Sequence, residues 1–411
     1  MAHPIRYEHW TQAAERVGSL KKVVLFTSCL GRVGGAERLL WEEERFFRGK
    51  GVQTTVMAFG ARQNLYDYRA GTVELIGKRS SRLSRILALR RRLTDISPDL
   101  VIAQSHADSI YACLAARFTS IPYVVHIHGT LFWFHDDLLK YAFIHRKAFS
   151  RIRDSVAGHR EFIPAKPKCS LKKRLALEFL AVLDWLAVRK ARKVIVLTDQ
   201  LRWEVEELYG KESVVARGCL PPEALDYHPR QDIRQKLGLG RQRVVFSVGR
   251  LDPRKRIDLL IRAFAEILPQ YNDVRLVIGG AGDEEARLKD LAGRLGIGDR
   301  VIFTGFIPDS ELFDYYAACD VFAFPSWTSS GITPYEALAL GKKVVWTSEA
   351  DEPVLDDSRV FVADPTISDF ARGLSQALDA RVEGKPDLSA YTWDRYFDTV
   401  YAAALEAVTQ G

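Results

Sequence analysis

The sequence predicts an α/β protein of two domains, each a parallel sheet whose strands are joined by helices. Three observations carry this. The chain has 411 residues, more than one ordinary core accommodates. Along both halves, short β-branched apolar runs alternate with segments of helical period, the order a parallel sheet requires. Several of those runs end in glycine turns that open into helices, as at Gly31–Glu37 and Gly279–Gly282.

Composition narrows the class. With 47% hydrophobic and 27% charged residues the chain is globular, and its net charge of +7 does not by itself name a partner. The cysteines (Cys29, Cys113, Cys169, Cys219 and Cys319) are odd in number, scattered, and never spaced CxxC. That argues against a disulfide framework or zinc site and fits a reducing cytosol. The opening MAHPIRYEHWTQAAERVG lacks the apolar core of a secretory signal, and no stretch is apolar enough to predict a spanning helix.

Residues 1–20 read as an extension and 21–217 as the first domain. Lys22–Thr27 is its first strand, followed by Gly31-Arg32-Val33-Gly34-Gly35-Ala36-Glu37 and a helix through Phe47. Glycines there let backbone approach a ligand, although the alternative is a tight turn and nothing more. The spacing is not GxGxxG, which weakens a nicotinamide-dehydrogenase reading. Val52–Ala58 and Val73–Ile76 are further strands. Ser80 or Ser81 caps a helix through Ile96 that carries Arg82, Arg85, Arg90, Arg91 and Arg92. Leu100–Gln104 is a strand, residues 109–118 a helix, and Tyr123–His126 a strand running out into His128. Strand alternation turns His126 inward, and His128 sits at a carboxyl end, where open α/β sheets bind ligands.

Residues 130–193 form a basic, aromatic insertion. From Lys140 to Lys193 there are 15 Lys and Arg against 4 Asp and Glu, so the net positive charge of this segment exceeds the +7 of the whole chain. Leu175, Phe179, Leu183, Leu186 and Ala187 fall on one helical stripe. One reading packs that stripe into the core behind a solvated basic face. The other lays it on anionic lipid. Nucleic acid is the weakest reading, because no binding motif accompanies the charge. Val194–Thr198, Asp199–Tyr209 and Ser213–Ala216 complete the domain as strand, helix and strand. Residues 218–231, rich in proline, read as the linker.

The second domain spans 232–385. Val244–Val248 is a buried strand ended by Gly249, and Ile257, Leu260, Ile261 and Phe264 mark the helix beyond. The loop between them holds Arg250, Arg254, Lys255 and Arg256. Fixed cations at a strand end can stabilise a departing diphosphate, Arg with its fork and Lys as a point charge; the bland alternative is a solvated basic turn. VRLVIGG ends at Gly280, where a dinucleotide fingerprint fails because Glu285 stands at its third glycine position. Thr304-Gly305-Phe306 ends a later strand. Ile332–Glu336 reads as a helix start, with Thr333 as N-cap, Pro334 at the first helical position and Glu336 completing a capping box. Exposed amides there can face an anion.

GRLDPRKRID, then VIGGAGDEEARLKDLAGRLGIGDRVIFTGFIPDSELFDYYAACDVFAFPS, then GITPYEALALGKKVV, resembles the nucleotide-binding half of family-4 retaining glycosyltransferases. The likeness is close over residues 243–365 and looser elsewhere. It implies the GT-B architecture, two Rossmann-like domains facing across a cleft, with residues 386–411 crossing back to the first domain near Trp393. It further implies that Arg250 and Lys255 hold a donor diphosphate and Glu336 its ribose. Gly34 and Gly35 line the cleft, His128 lies near the donor sugar, Gly280 contributes a turn, and Thr304 lies near the base. One departure stands out. The family's first motif glutamate falls on Thr328 and its phenylalanine on Ser330, so Thr328, Ser329, Gly331, Ile332 and Thr333 are expected to hold the donor sugar instead.

The resemblance therefore implies hexose transfer from a UDP- or GDP-sugar to a hydroxyl of a glycan or a polyprenyl- or lipid-linked acceptor, retaining and without metal or other cofactor. The expected setting is the cytoplasmic face of an anionic membrane. Two alternatives stay open: a nucleotide-sugar-binding protein with little turnover, and a UDP-sugar epimerase of the same architecture.

Overall fold

The computed structural model describes residues 20–31, 35–62, 65–77, 81–117, 119–131, 142–155, 170–218, 220–221, 224–326, 331–349 and 356–409. In the first domain the strands are β1 Lys22–Leu30, β2 Gln53–Ala61, β3 Val73–Leu75, β4 Leu100–Ala103, β5 Tyr123–Ile127, β6 Val194–Val196 and β7 Val214–Val215. They form one parallel sheet in the order β3-β2-β1-β4-β5-β6-β7. In the second domain β8 Arg243–Val248, β9 Val274–Gly279, β10 Val301–Gly305, β11 Val321–Phe324, β12 Lys343–Thr347 and β13 Val360–Ala363 form a parallel sheet in the order β10-β9-β8-β11-β12-β13. Strand order reverses between β1 and β4 and again between β8 and β11. The carboxyl ends at such reversals are where open sheets receive ligands.

The helices are α1 Gly35–Gly49, α2 Arg82–Ile96, α3 His106–Ala116, α4 Arg146–Ser155, α5 Leu171–Lys190, α6 Asp199–Tyr209, α7 Ile257–Ile267, α8 Glu285–Arg294, α9 Asp309–Ala318, α10 Ile332–Ala339, α11 Ile367–Asp379 and α12 Trp393–Thr409. Side-chain caps set several of their starts. Ser81 begins α2 by accepting from the Ser84 amide at 3.3 Å. Ser105 accepts from Asp108 at 3.1 Å and starts α3 at His106, earlier than periodicity alone predicts. Buried strands explain the apolar runs: every residue of β5, YVVHI, is buried between covered faces.

α12 belongs spatially to the first domain. Trp393, Tyr396, Phe397, Val400, Ala403, Ala404 and Ala407 bury into that domain's core. The linker and this returning segment cross side by side. The Leu220 amide donates to Tyr391 O at 3.0 Å and the Trp393 amide to Leu220 O at 2.9 Å. Gly218, at φ +91°, makes this possible, since a Cβ there would lie 2.3 Å from the Tyr391 carbonyl oxygen.

The predicted core stripe of the basic insertion is corrected. α5 buries Ala181, Asp184, Ala187 and Val188, whereas Leu175 and Phe179 are exposed, at 62% and 66%, together with Leu171, Val182 and Leu186. The helix docks by Ala181, Ala187 and Val188, by half-buried Leu177, Leu180 and Trp185, and by one polar anchor. Asp184 accepts from His106 Nδ1 at 3.0 Å and from the Tyr209 hydroxyl at 2.9 Å. That anchor fixes the face on which Leu171, Leu175, Phe179, Val182 and Leu186 are left exposed. No helix among the described residues is long and apolar enough to cross a membrane.

Candidate active site

The carboxyl ends of β1, β4, β5, β8 and β11 and the starts of α1 and α10 converge between the sheets. A Cβ on Gly35 would lie 3.3 Å from Ile332 Cδ1, so the first residues of the two helices meet. Each helix start carries amides without intrahelical partners and the positive end of a dipole, an arrangement that receives anions. Gly34, Thr328 and Ser329 lie outside the described residues.

On the second domain's side the four-cation loop sorts itself. Arg254 is buried and its Nη2 pairs with Asp252 at 3.2 Å. Arg256, also buried, is gripped by both oxygens of Glu349. The solvated-turn reading therefore fails for these two. Arg250 has a side chain 53% exposed, with Nε 3.7 Å from Asp252. Lys255 has Nζ 5.5 Å from the centre of the Phe324 ring. Burial first, then Arg254, with Arg250 adding and Asp252 opposing, brings the Lys255 ammonium down to about 8. Phe324 joins this lysine to the start of α10, because a Cβ on Gly331 would lie 2.6 Å from its ring.

Gly280 supports that loop from below. At φ +111° its Cα presses on the Gly249 carbonyl, where a Cβ would lie 1.9 Å from the oxygen. The Leu251 amide donates to Ala281 O at 3.0 Å. Gly280 thus holds the backbone that carries Arg250. Thr304 stands at the neighbouring strand end, its hydroxyl 3.1 Å from Gly305 O and 3.4 Å from Ile278 O.

The predicted capping box is absent. Gly331 is the N-cap of α10 with no side-chain capping bond, so Thr333 and Pro334 lie inside the first turn. Glu336 instead turns inward, 1% exposed. Its Oε2 accepts from the Tyr316 hydroxyl at 2.8 Å, and its Oε1 lies 3.4 Å from Arg38 Nη1 of the first domain. Burial raises the Glu336 carboxyl, with Arg38 and the Tyr316 hydrogen bond opposing and Asp309 adding to it. With the helix starting two residues earlier than predicted, this carboxylate takes no part in a capping box.

His128 is tied from behind. Gln104 donates its Nε2 to Glu43 at 2.9 Å, so its Oε1 accepts from His128 Nε2–H at 2.7 Å. That fixes the tautomer and leaves Nδ1 as a lone-pair acceptor with no partner among the described residues. Burial and then neighbouring His126 hold the ring well below the usual histidine range, so it is neutral. His126 is buried as alternation predicts, and its Nε2 lies 2.7 Å from the Tyr396 hydroxyl of α12.

Two family profiles together span most of this chain. One, described as Glycosyltransferase Family 4, matches residues 33–218, and one, described as Glycosyl transferases group 1, matches residues 229–391. The chain belongs to the family-4 glycosyltransferases. This family-4 chain is 39% identical over 153 residues to the GDP-mannose-dependent alpha-(1-6)-phosphatidylinositol monomannoside mannosyltransferase of Mycolicibacterium smegmatis, covering 35% of this chain and 40% of that one. It is 33% identical over 175 residues to an uncharacterised glycosyltransferase of Methanocaldococcus jannaschii, covering 40% and 45%. The chain thus spans under half the length of these curated relatives. Among solved structures, Anabaena HepE in complex with UDP superposes with a TM-score of 0.63 at 20% identity, over 95% of this chain and 97% of that one. The two facing sheets are therefore the GT-B fold.

Sequence reasoning missed Arg38, Tyr316, Gln104 and Glu43. Arg38 had a signal, since it lies one turn into the helix that follows the glycines. The others are ordinary residues until the fold brings them to Glu336 and His128.

Proposed function

We propose that this family-4 protein transfers a hexose from a UDP- or GDP-sugar to a hydroxyl of a glycan or lipid-linked acceptor, with retention at the anomeric carbon. The observation that carries the reading is that Arg38 of the first domain meets the buried carboxylate of Glu336, while Lys255 lies against Phe324, which packs under the start of the same helix. The cations and amides would stabilise the nucleoside diphosphate as the bond from C1 to phosphate oxygen breaks. Glu336 would accept from ribose hydroxyls, and the bare Nδ1 of His128 from a hydroxyl of the donor sugar. In front-side attack the acceptor oxygen bonds to C1 while its proton passes to a departing phosphate oxygen. The protein's part is positioning and charge stabilisation. Gly35, Gly331, Ile332 and Thr333 would line the phosphate side. Gly34, Thr328 and Ser329 are assigned on the family motif alone.

A lipid-linked acceptor is supported by the phosphatidylinositol mannoside named for the Mycolicibacterium relative and by the outward stripe of α5 beside Lys172, Lys173 and Arg174. The same stripe supports attachment to an anionic membrane surface, and the scattered cysteines favour its cytoplasmic face. The test is turnover of UDP- and GDP-hexoses with lipid-linked and soluble acceptors, reading the product's anomeric configuration by NMR. An inverted product overturns the retaining course. Chelator is expected to leave the rate unchanged; loss restored by Mg or Mn overturns the metal-independent course. Thr328 in place of a motif glutamate favours one second reading, donor binding without turnover, which the same panel separates.

A further inference from the structure

We propose that Arg38, reaching from the first domain into the second, is the counter-charge of Glu336 and a positioning residue for the donor ribose. This rests on the reading of Glu336 as the ribose acceptor given above.

Glu336 is 1% exposed, and of its two described partners Tyr316 is a neutral donor while Arg38 is a cation. A carboxylate taken so far from water stays ionised only beside a fixed positive charge; otherwise it takes up a proton. Arg38 is held for this task. Its guanidinium stacks 4.7 Å from the centre of the Trp393 ring, at the point where α12 enters the first domain. It also sits one turn into α1, whose first residue meets Ile332 at the start of α10. Three chain segments thus place one guanidinium edge-on to the carboxylate. The Nη1–Oε1 separation of 3.4 Å is at the long end for a hydrogen bond, so a ribose hydroxyl can enter at Oε1 without losing the ion pair.

The surrounding charges define what Arg38 must offset. Asp309, at the start of α9, faces both Glu336 and Arg38 and works against ionisation of the carboxylate. Tyr316 faces Glu336 from the same helix, and Glu42 and Tyr66 face Arg38 from the first domain. Two ribose hydroxyls call for two acceptor oxygens, whereas a protonated carboxyl turns one of them into a donor. Donor recognition in the second domain therefore depends on a charge that the first domain brings.

Arg38→Met keeps a stem over Trp393 and removes the charge; Arg38→Lys restores it. Binding of UDP-glucose or GDP-mannose, whichever the wild type takes, and of its 2′-deoxy analogue is measured by calorimetry on the full chain at about pH 6 and about pH 7.5. The wild type and Arg38→Lys are expected to prefer the ribose form at both. Arg38→Met is expected to bind about tenfold more weakly at the lower pH, with the ribose preference gone, and to recover both as pH rises. A uniform loss at both pH values, an unchanged ribose preference, or no loss overturns the assignment to Arg38 while leaving the ribose reading intact. A wild type that shows no preference for ribose, or binds neither donor, overturns both. Thermal melts establish that each variant is folded.

Discussion

Lys255 gives the sharpest pH dependence in the donor cleft. Its ammonium titrates at about 8 in the free protein, chiefly through burial. On the proposed function the donor diphosphate requires the charged form, so binding should draw a proton and weaken as pH rises past that value. With a midpoint of about 8, roughly nine tenths of the molecules carry the charge at about pH 7 and roughly one tenth at about pH 9. Apparent affinity scales with the competent fraction, so it falls about tenfold over that interval. The assay is calorimetric titration with a nucleotide-sugar, whose esterified diphosphate loses no proton in the range, in buffers of different ionisation enthalpy to count proton uptake. Lys255→Met should bind more weakly everywhere, by about 2 kcal/mol for a charged hydrogen bond, and show no slope of this origin. A flat wild-type profile, or the same slope in the variant, refutes the assignment of Lys255 to the phosphates.

Three further outcomes are expected. Gly280→Ala forces a Cβ to within 1.9 Å of the Gly249 carbonyl oxygen at a φ of +111°, so denaturant melts should show a loss of about 2 kcal/mol or more, with weaker donor binding as the Arg250 loop shifts. Asp184→Ala removes the buried carboxylate that His106 and Tyr209 bond and should cost about 3 kcal/mol by the same measurement; a change well below 1 kcal/mol would mean that α5 is held by its apolar contacts alone. Leu175→Glu with Phe179→Glu should abolish co-sedimentation with anionic vesicles while leaving turnover of a soluble acceptor intact; wild-type protein that ignores such vesicles removes the membrane reading.

Much of the fold was legible because its signals are local. Apolar runs such as Val244–Val248, the cap at Ser81, and the glycine turns each express short-range geometry that survives without a partner. The cation loop and the helix start near Glu336 were visible for the same reason. The helix start was placed two residues late and given a capping box it lacks, because Thr333 and Glu336 satisfy the spacing whether or not the helix begins there.

By itself the sequence determined the alternation of strand and helix, the glycines where backbone must pass backbone, and the pool of four cations facing a carboxylate-bearing helix. Tertiary structure alone decided which members of that pool are available: Asp252 claims Arg254, while Glu349 reaches back 93 residues to claim Arg256. It also decided that Arg38 meets Glu336 across 298 residues, that burial keeps His128 neutral while Gln104 leaves it an open nitrogen, and that Leu175 and Phe179 of α5 face outward. The physical reason is common to all four. A charge, a tautomer or an exposed face is set by what lies within a few ångströms in space, and those neighbours are distant along the chain.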